Sequence, residues 1–404
     1  MIASGREEHF VELERTYTPP IYEPLNVVIE SGAGAWLTDV HGRRYLDCVS
    51  AYSAVNQGHC HPRIIAAMLA QADRLTITAR AMHNTVLPRF LERLCTFAGY
   101  DMAIPMNSGS EAVETAIKLA RRWGYRCKGI PNDRAEIIVC DNNFHGRTTT
   151  VIGFSTTETH RNGFGPFTPG FRSVPFGEFG ALQAAFSSNT CAFIVEPIQG
   201  EGGIHVPPPG YIAAAREWCR ENNVLFIADE IQTGLGRTGS RFACDDENVK
   251  PDVMILGKAL SGGIYPISAV LASNAITSTL EPGDHGSTFG GNPLAAAIGI
   301  AALDVIEDEH LAERARAAGV RLMKGLCDID ARSVVDVRGR GLLLGIEFSI
   351  PARLVAETLL HHGVVAKDTH DGVLRLSPPL IVTNEDVDYL VTALVAAIQE
   401  SEAH

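Results

Sequence analysis

Three ionisable residues stand at the ends of continuously apolar runs. They are one lysine, whose amine can act as a nucleophile, and two carboxylic acids. Lys258 follows Val253–Leu256 and one glycine, and a Ser-Gly-Gly loop (Ser261–Gly263) comes soon after it. Asp229 follows Val-Leu-Phe-Ile-Ala, and Glu196 follows Cys191–Val195. An ammonium at the end of a buried strand loses hydration, so its pKa falls and its amine becomes nucleophilic. The plain alternative is a lysine that snorkels out of a strand end. Only six of the 34 basic residues are lysines. Lys118 falls on an amphipathic helix, Lys128, Lys250 and Lys324 neighbour Gly, Pro or polar residues, and Lys367 follows a short run, so Lys258 stands apart. Burial would raise the pKa of Asp229 unless a cation compensates it. Asp229 and Glu230 could also be ordinary strand-end acids facing water.

A second feature is the turn Asn107-Ser108-Gly109-Ser110-Glu111, which precedes a helical face of Val113, Ala116, Ile117 and Ala120. Ser108 with Glu111 fits a capping box. Such a turn offers free backbone N–H groups, two hydroxyls and the positive helix end, which together form a phosphate cradle. Taken alone it reads better as an ordinary capped helix. A phosphate cradle, a strand-end acid and a strand-end lysine in one chain specify pyridoxal phosphate. The lysine condenses with the aldehyde, the acid keeps the pyridine nitrogen protonated, and the helix end takes the phosphate.

Those residues need a sheet whose strand ends meet. Strands are expected at Glu136–Cys140, Thr149–Phe154, Cys191–Val195, Val224–Ala228, Val253–Leu256 and Ser268–Ser273, with a helix at Pro209–Asn222. Short, continuously apolar strands alternating with helices predict an α/β fold with a mainly parallel sheet covered on both faces. Ligands of such folds sit at the carboxyl ends of the strands. Residues 1–30 are polar, carry Pro19, Pro20 and Pro24, and read as an arm. Residues 34–47 alternate around His41-Gly42 as a hairpin. A loop at 50–61 leads to a helix from Pro62 to about Leu75. After Pro293 a long Ala-rich helical stretch runs from Leu294 to Leu326. Strands near Val334–Val337 and Leu342–Phe348, a helix at Arg353–His362, strands near Val364 and Val373 and a last helix at Glu385–Gln399 follow. The expected division is 1–50 (arm and hairpin), 51–310 (large domain) and 311–404 (smaller α+β domain). Gly32-x-Gly34 lacks a preceding strand and a following helix, so it is weak as a dinucleotide motif. Gly339-x-Gly341 reads as a turn. His59 and His61 have no cluster of further ligands and read as structural, and no metal is expected.

The 404 residues exceed one ordinary core. Apolar content of 46% and charged content of 20% are those of a globular protein. A net charge of −13 with no basic block argues against nucleic acid as partner. The nine cysteines are odd in number and lack zinc or redox pair spacing, which fits reduced thiols in the cytoplasm. Neither a targeting peptide nor the ~18 apolar residues of a membrane span is visible.

The chain resembles the class III (fold type I) aminotransferases, and within them the ornithine subgroup. The resemblance runs from about residue 20 to 400. It is carried by Ser50–Pro62, Met106–Gly109, Gly163–Gly170, Val195–Glu201, Leu225–Gly234, Leu256–Gly263 and His285–Pro293. It implies the fold of that family: a large domain with a mainly parallel seven-stranded sheet, a smaller α+β C-terminal domain and an N-terminal arm. It also implies roles. Lys258 would be the Schiff-base lysine and proton shuttle, Asp229 the partner of the pyridine nitrogen, and Gln232 a contact of the ring hydroxyl. Phe144 and Ile231 would flank the ring, with His145 beside it. Ser108, Gly109 and Ser110 would hold the phosphate, joined by Ser287 and by Thr288 of a partner subunit. A homodimer is therefore implied, acting on an amino acid and a 2-oxo acid. Tyr22, Tyr52, Arg147, Glu201 and Arg375 would choose the substrate. Arg375 would take the α-carboxylate of glutamate, and Glu201 would neutralise Arg375 when ornithine binds. Phe-His-Gly-Arg at 144–147 departs from some ornithine enzymes, which have a bulky aromatic in place of the histidine. That leaves N-acetylornithine, 4-aminobutyrate and lysine as alternative amine donors. A silent cofactor-binding regulator lacks a DNA-binding arm, and a nicotinamide oxidoreductase lacks a Gly-x-Gly-x-x-Gly turn between strand and helix.

Overall fold

The computed structural model describes residues 4–370 and 372–403. Seven strands form the central sheet: β1 (Met102–Met106), β2 (Glu136–Cys140), β3 (Phe171–Val174), β4 (Thr190–Val195), β5 (Leu225–Asp229), β6 (Val253–Leu256) and β7 (Ser268–Ala272). Their order across the sheet is β1-β7-β6-β5-β4-β2-β3. Only β7 runs against its neighbours, and the pairs from β6 to β3 are parallel. Every residue of β4 to β7 is buried. That burial on both faces explains their unbroken apolar runs. The helix Gly109–Trp123 packs one face with Val113, Ala116, Ile117 and Ala120, while Tyr211–Glu221 covers the other with Ile212, Ala215 and Trp218. The seven-stranded, mainly parallel sheet is the one the family resemblance implies.

Two smaller sheets flank this unit. Ile29–Ala33, Trp36–Asp39 and Arg44–Asp47 form an antiparallel set, completed by Val364–Val365 parallel to Arg44–Asp47. The other sheet has the order Val334–Arg340, Leu343–Phe348, Val373–Leu376, Lys367–Thr369. Its middle strand Val373–Leu376 is fully buried and carries Arg375.

Four local expectations need correction. Thr149–Phe154 is not a strand: Thr149–Gly153 is a short helix, and the strand beside β2 is Phe171–Val174. β-branched residues favour strands only where a neighbour offers a ladder. Here that edge is taken by Phe171–Val174, and Val151 and Ile152 bury against the core as a helical turn instead. The stretch from Leu294 to Leu326 is two helices, Pro293–Asp308 and Leu311–Cys327, because His310 turns left-handed at φ 52°. No Gly or Pro marks that break. The N-terminal arm begins as a helix, Ser4–Tyr17, whose residues are mostly exposed. Gly339 lies within a strand, and the turn falls at Gly341–Leu342.

Candidate active site

The carboxyl ends of β2, β4, β5 and β6 and the start of helix Gly109–Trp123 enclose a cavity of about 200 Å³. Lys258, Asp229, Glu196, Gly109, Ser110, Phe144, His145, Ile231, Gln232 and Glu201 all line it. Lys258 and Gly109 also border a second hollow of about 320 Å³ with Ser108. A larger open hollow of about 490 Å³ lies among Ala67, Arg89, Ala301 and Asp304, and holds none of this chemistry.

Each wall has a local cause. Gly257 is still extended at φ −169°, and Lys258 leaves the path of β6 at φ 42° as the strand ends. Lys258 is half-buried and lines the cavity. Burial lowers the pKa of Lys258. The carboxylates of Glu201, Asp229 and Glu196 work against that fall, and Arg375 adds to it. Asp229, 4% exposed, is held from two sides. Ile231 N donates to Oδ1 at 3.1 Å, and His145 Nδ1 lies 2.6 Å from Oδ2. Burial would lower the pKa of His145, but the bond to Asp229 and its charge outweigh it, so the imidazole is held protonated more firmly than usual. Burial pushes Glu196 up to about 7, although Phe144 N donates to it at 2.9 Å.

At the helix end, Glu111 N donates to Ser108 Oγ at 3.2 Å and Ser108 N donates back to Glu111 Oε2 at 2.6 Å. This is the expected capping box; it engages Glu111 N, and Gly109 and Ser110 of the same turn line the cavity. A side chain on Gly109 would press Ile231 at 3.1 Å, so the turn passes close beneath the cavity wall.

On the far wall Glu201 and Arg375 form an ion pair, and Gln232 Nε2 donates to Glu201 Oε1 at 3.1 Å. Burial raises the Glu201 pKa, and Arg375, Lys258 and the two hydrogen bonds outweigh it, so the carboxylate stays charged. The Arg375 guanidinium lies 5.1 Å from the centre of the Tyr52 ring. Arg147 stands in an adjoining recess of about 180 Å³ with His160, Thr369 and His370. Phe144 and Glu201 border both spaces. Arg147 is exposed and lies 5.8 Å over the Phe144 ring. Tyr22 is 71% exposed, yet near enough to act on the Tyr52 hydroxyl. Ser287 Oγ accepts from Asn107 Nδ2 at 3.0 Å behind the cradle. Thr288 is exposed and does not line the cavity of its own chain.

Glu196 was visible in the sequence as a strand-end acid but had no expected role in the site. Gly146, Ile198 and Thr233 also line the cavity, and His160, Thr369 and His370 line the recess. No motif marks the last three, because they come from a short helix (Glu158–Arg161) and from the end of the strand Lys367–Thr369, two segments far apart in the chain.

A family model described as aminotransferase class III matches residues 17–398. An ornithine aminotransferase of Halalkalibacterium halodurans is 53% identical over 381 residues, which is 94% of this chain and 96% of that protein. One from Bordetella pertussis is 54% identical over 383 residues, covering 94% and 93%. Among solved structures, an ornithine aminotransferase from Toxoplasma gondii, described with pyridoxal phosphate at its active site, superposes with a TM-score of 0.97. It is 45% identical and covers 98% of this chain and 95% of that one. An acetylornithine aminotransferase from Elizabethkingia anophelis gives a TM-score of 0.90 at 44% identity, covering 98% and 99%.

Proposed function

The chain belongs to the class III aminotransferases, and from that premise we propose that it transfers the δ-amino group of L-ornithine to 2-oxoglutarate. The products are glutamate 5-semialdehyde, which cyclises to pyrroline-5-carboxylate, and glutamate. The observation that carries the substrate choice is the Glu201–Arg375 pair in the wall of the Lys258 cavity, with Arg147 in the next recess.

The cofactor is pyridoxal 5′-phosphate, and the residues present fit it. Gln232 Oε1 and His145 Nε2 are buried without a partner beside the cavity, so polar atoms there await one. Ser108, Gly109 and Ser110 would hold the phosphate, Asp229 the ring nitrogen and Gln232 the ring hydroxyl, between Phe144 and Ile231. When bound, the group supplies an aldehyde and an electron-withdrawing ring that stabilises negative charge at the carbon bearing the nitrogen.

The chain's own residues do the rest. Lys258, with its lowered pKa, presents a free amine that can attack a carbonyl. The same Nζ would move a proton from the substrate carbon bearing the amine to the carbon on the other side of that nitrogen. Asp229 stands at the floor, and its bond to His145 fixes its orientation from behind. Arg375 takes the α-carboxylate of glutamate in a two-pronged bond. With ornithine, Glu201 keeps Arg375 neutralised, and the substrate's carboxylate goes to Arg147 and its α-amine to Tyr22. Tyr52 lies between these groups.

A homodimer is part of this reading. Thr288 is exposed and does not line its own cavity, and the apolar side chains of Leu69, Met82 and Phe289 are exposed on the same chain. A partner covering them would bring its Thr288 to the phosphate. Nine free cysteines fit a cytoplasmic setting. Among the described residues no helix is long and apolar enough to cross a membrane.

A second reading, N-acetylornithine as donor, is favoured by His145 and by the likeness to the Elizabethkingia structure. Turnover of ornithine and acetylornithine by the purified enzyme decides between them. A clear preference for the acetylated donor would overturn the ornithine assignment. Light scattering at working concentration tests the dimer, and a monomer with full activity would refute it.

A further inference from the structure

The turn that carries Tyr52 has an unusual backbone. Ser50, Ala51, Tyr52 and Ser53 all have positive φ, at 48°, 45°, 61° and 72°. A left-handed turn of four L-residues brings Cβ atoms against carbonyls and does not form without outside support. Ser50 and Ser53 are buried and their hydroxyls have no partner, so the turn's own side chains do not hold it.

The support comes from Asp47. Its Oδ1 accepts from Val49 N and Ser50 N, both at 2.9 Å, and the residue is 2% exposed. Its other oxygen, Oδ2, lies 2.7 Å from His59 Nε2. His59 is seated by the Gly32-x-Gly34 segment that dinucleotide binding does not explain. Gly34 and His59 exchange two backbone hydrogen bonds, at 3.1 and 2.7 Å. A Cβ on Gly32 would stand 2.9 Å from the His59 ring. The turn's far end meets the substrate wall. The Tyr52 ring lies against Arg375, the Tyr52 carbonyl is 3.4 Å from Gln232 Nε2, and Ser377 Oγ donates to Val49 O at 3.1 Å.

We propose that Asp47 and His59 are positioning residues of the transamination site, which hold the left-handed turn 50–53 and so fix Tyr52 against Arg375 at the substrate end. Neither touches substrate. The N-terminal hairpin thereby sets how the head group of the amine donor is read. This rests on the substrate reading of Tyr52 and Arg375 given above.

The test uses the holoenzyme with His59→Phe, His59→Gln and Asp47→Ala. His59→Phe keeps the ring and loses the bond to Asp47, while His59→Gln restores a donor near the same place. One readout is KM for ornithine and for 2-oxoglutarate. His59→Phe and Asp47→Ala should raise KM for ornithine by about tenfold, as loss of one hydrogen bond to a charged group does. KM for 2-oxoglutarate, whose α-carboxylate goes to the same Arg375, should rise as well, and His59→Gln should recover most of both effects. The second readout is hydrogen exchange of the peptide spanning 48–56, which does not depend on the amine used. It should quicken in His59→Phe and Asp47→Ala but not in His59→Gln. A purely structural role would lower the melting temperature and leave the KM pattern unchanged, and that outcome overturns the proposal. So does unchanged exchange at 48–56. A wild-type enzyme that ignores ornithine would instead refute the substrate assignment, and the exchange result would then decide the role of Asp47 and His59.

Discussion

Glu201→Gln separates the two substrates of this site by a calculable amount. Arg375 is 2% exposed and paired with Glu201, whose side chain is 25% exposed. Glutamate must place its α-carboxylate on Arg375, so the Glu201 charge has to be displaced first. A hydrogen bond between charged groups contributes about 1.5–3 kcal/mol, and a neutral amide recovers part of it. Removing the charge therefore lowers the barrier for glutamate by about 1.5–2 kcal/mol, or about 10–30-fold in kcat/KM. Ornithine moves the other way. An unmasked Arg375 draws its carboxylate to the wrong end, and kcat/KM for the δ-amine falls by about tenfold. The ratio of ornithine to glutamate specificity should thus drop by about two orders of magnitude. Single-turnover half-reactions with each amino acid, followed by the absorbance of the bound cofactor, measure both terms directly. A ratio that stays within about threefold of wild type would refute the charge-masking role, however much either rate changed alone.

Other outcomes follow from the same structure. Lys258→Ala should abolish turnover while the protein still folds and binds the cofactor, checked by activity and by the cofactor's spectrum; retained turnover would sink the central assignment. Glu196, with its pKa raised by burial to about 7, binds its proton more tightly folded than unfolded. Its contribution to stability is therefore lost as pH rises from the ordinary carboxylate range through 7, a difference of at most ~3 kcal/mol. Glu196→Gln should raise the melting temperature of cofactor-free protein at pH 8 and leave it unchanged at pH 4. His145 has a raised pKa through Asp229, despite burial. Stability from that pair is full below the ordinary histidine range and is lost as pH rises through the raised value. His145→Gln should flatten the corresponding limb of the stability–pH curve. Arg237 is fully buried, with its pKa lowered by burial to about 9. It donates to Leu342 O at 2.9 Å and Pro378 O at 2.5 Å, and also to Asn56. Arg237→Ala strands those carbonyls and should cost about 3–5 kcal/mol by denaturant unfolding.

Much of this site could be read along the chain because its parts are local. A strand running directly into Lys258, another into Asp229, and a Ser108–Glu111 cap are patterns spanning a few residues, and each pattern has one chemical sense. Periodicity and burial also located most strands of the large sheet. Where composition conflicted with context, the local reading failed. Thr149–Gly153 has the residues of a strand and becomes a helix because Phe171–Val174 holds the edge beside β2. The break at His310 was invisible because a left-handed residue there is chosen by the packing of two helices, without a glycine to announce it.

The pairings across distance come from the fold. Glu201 and Arg375 are 174 residues apart, and His145 and Asp229 are 84 apart. Neither distance carries a periodic signal. The pairs meet because a strand of the C-terminal sheet and a loop after β2 close over the same strand ends. The left-handed turn under Tyr52 is of the same kind: its residue types favour no such backbone, and it exists because Asp47 and His59 hold it from a hairpin. Which cofactor chemistry the chain can support is legible along the chain, since that rests on groups placed by single elements. The choice of substrate rests on charges brought together by several elements, and so belongs to the fold.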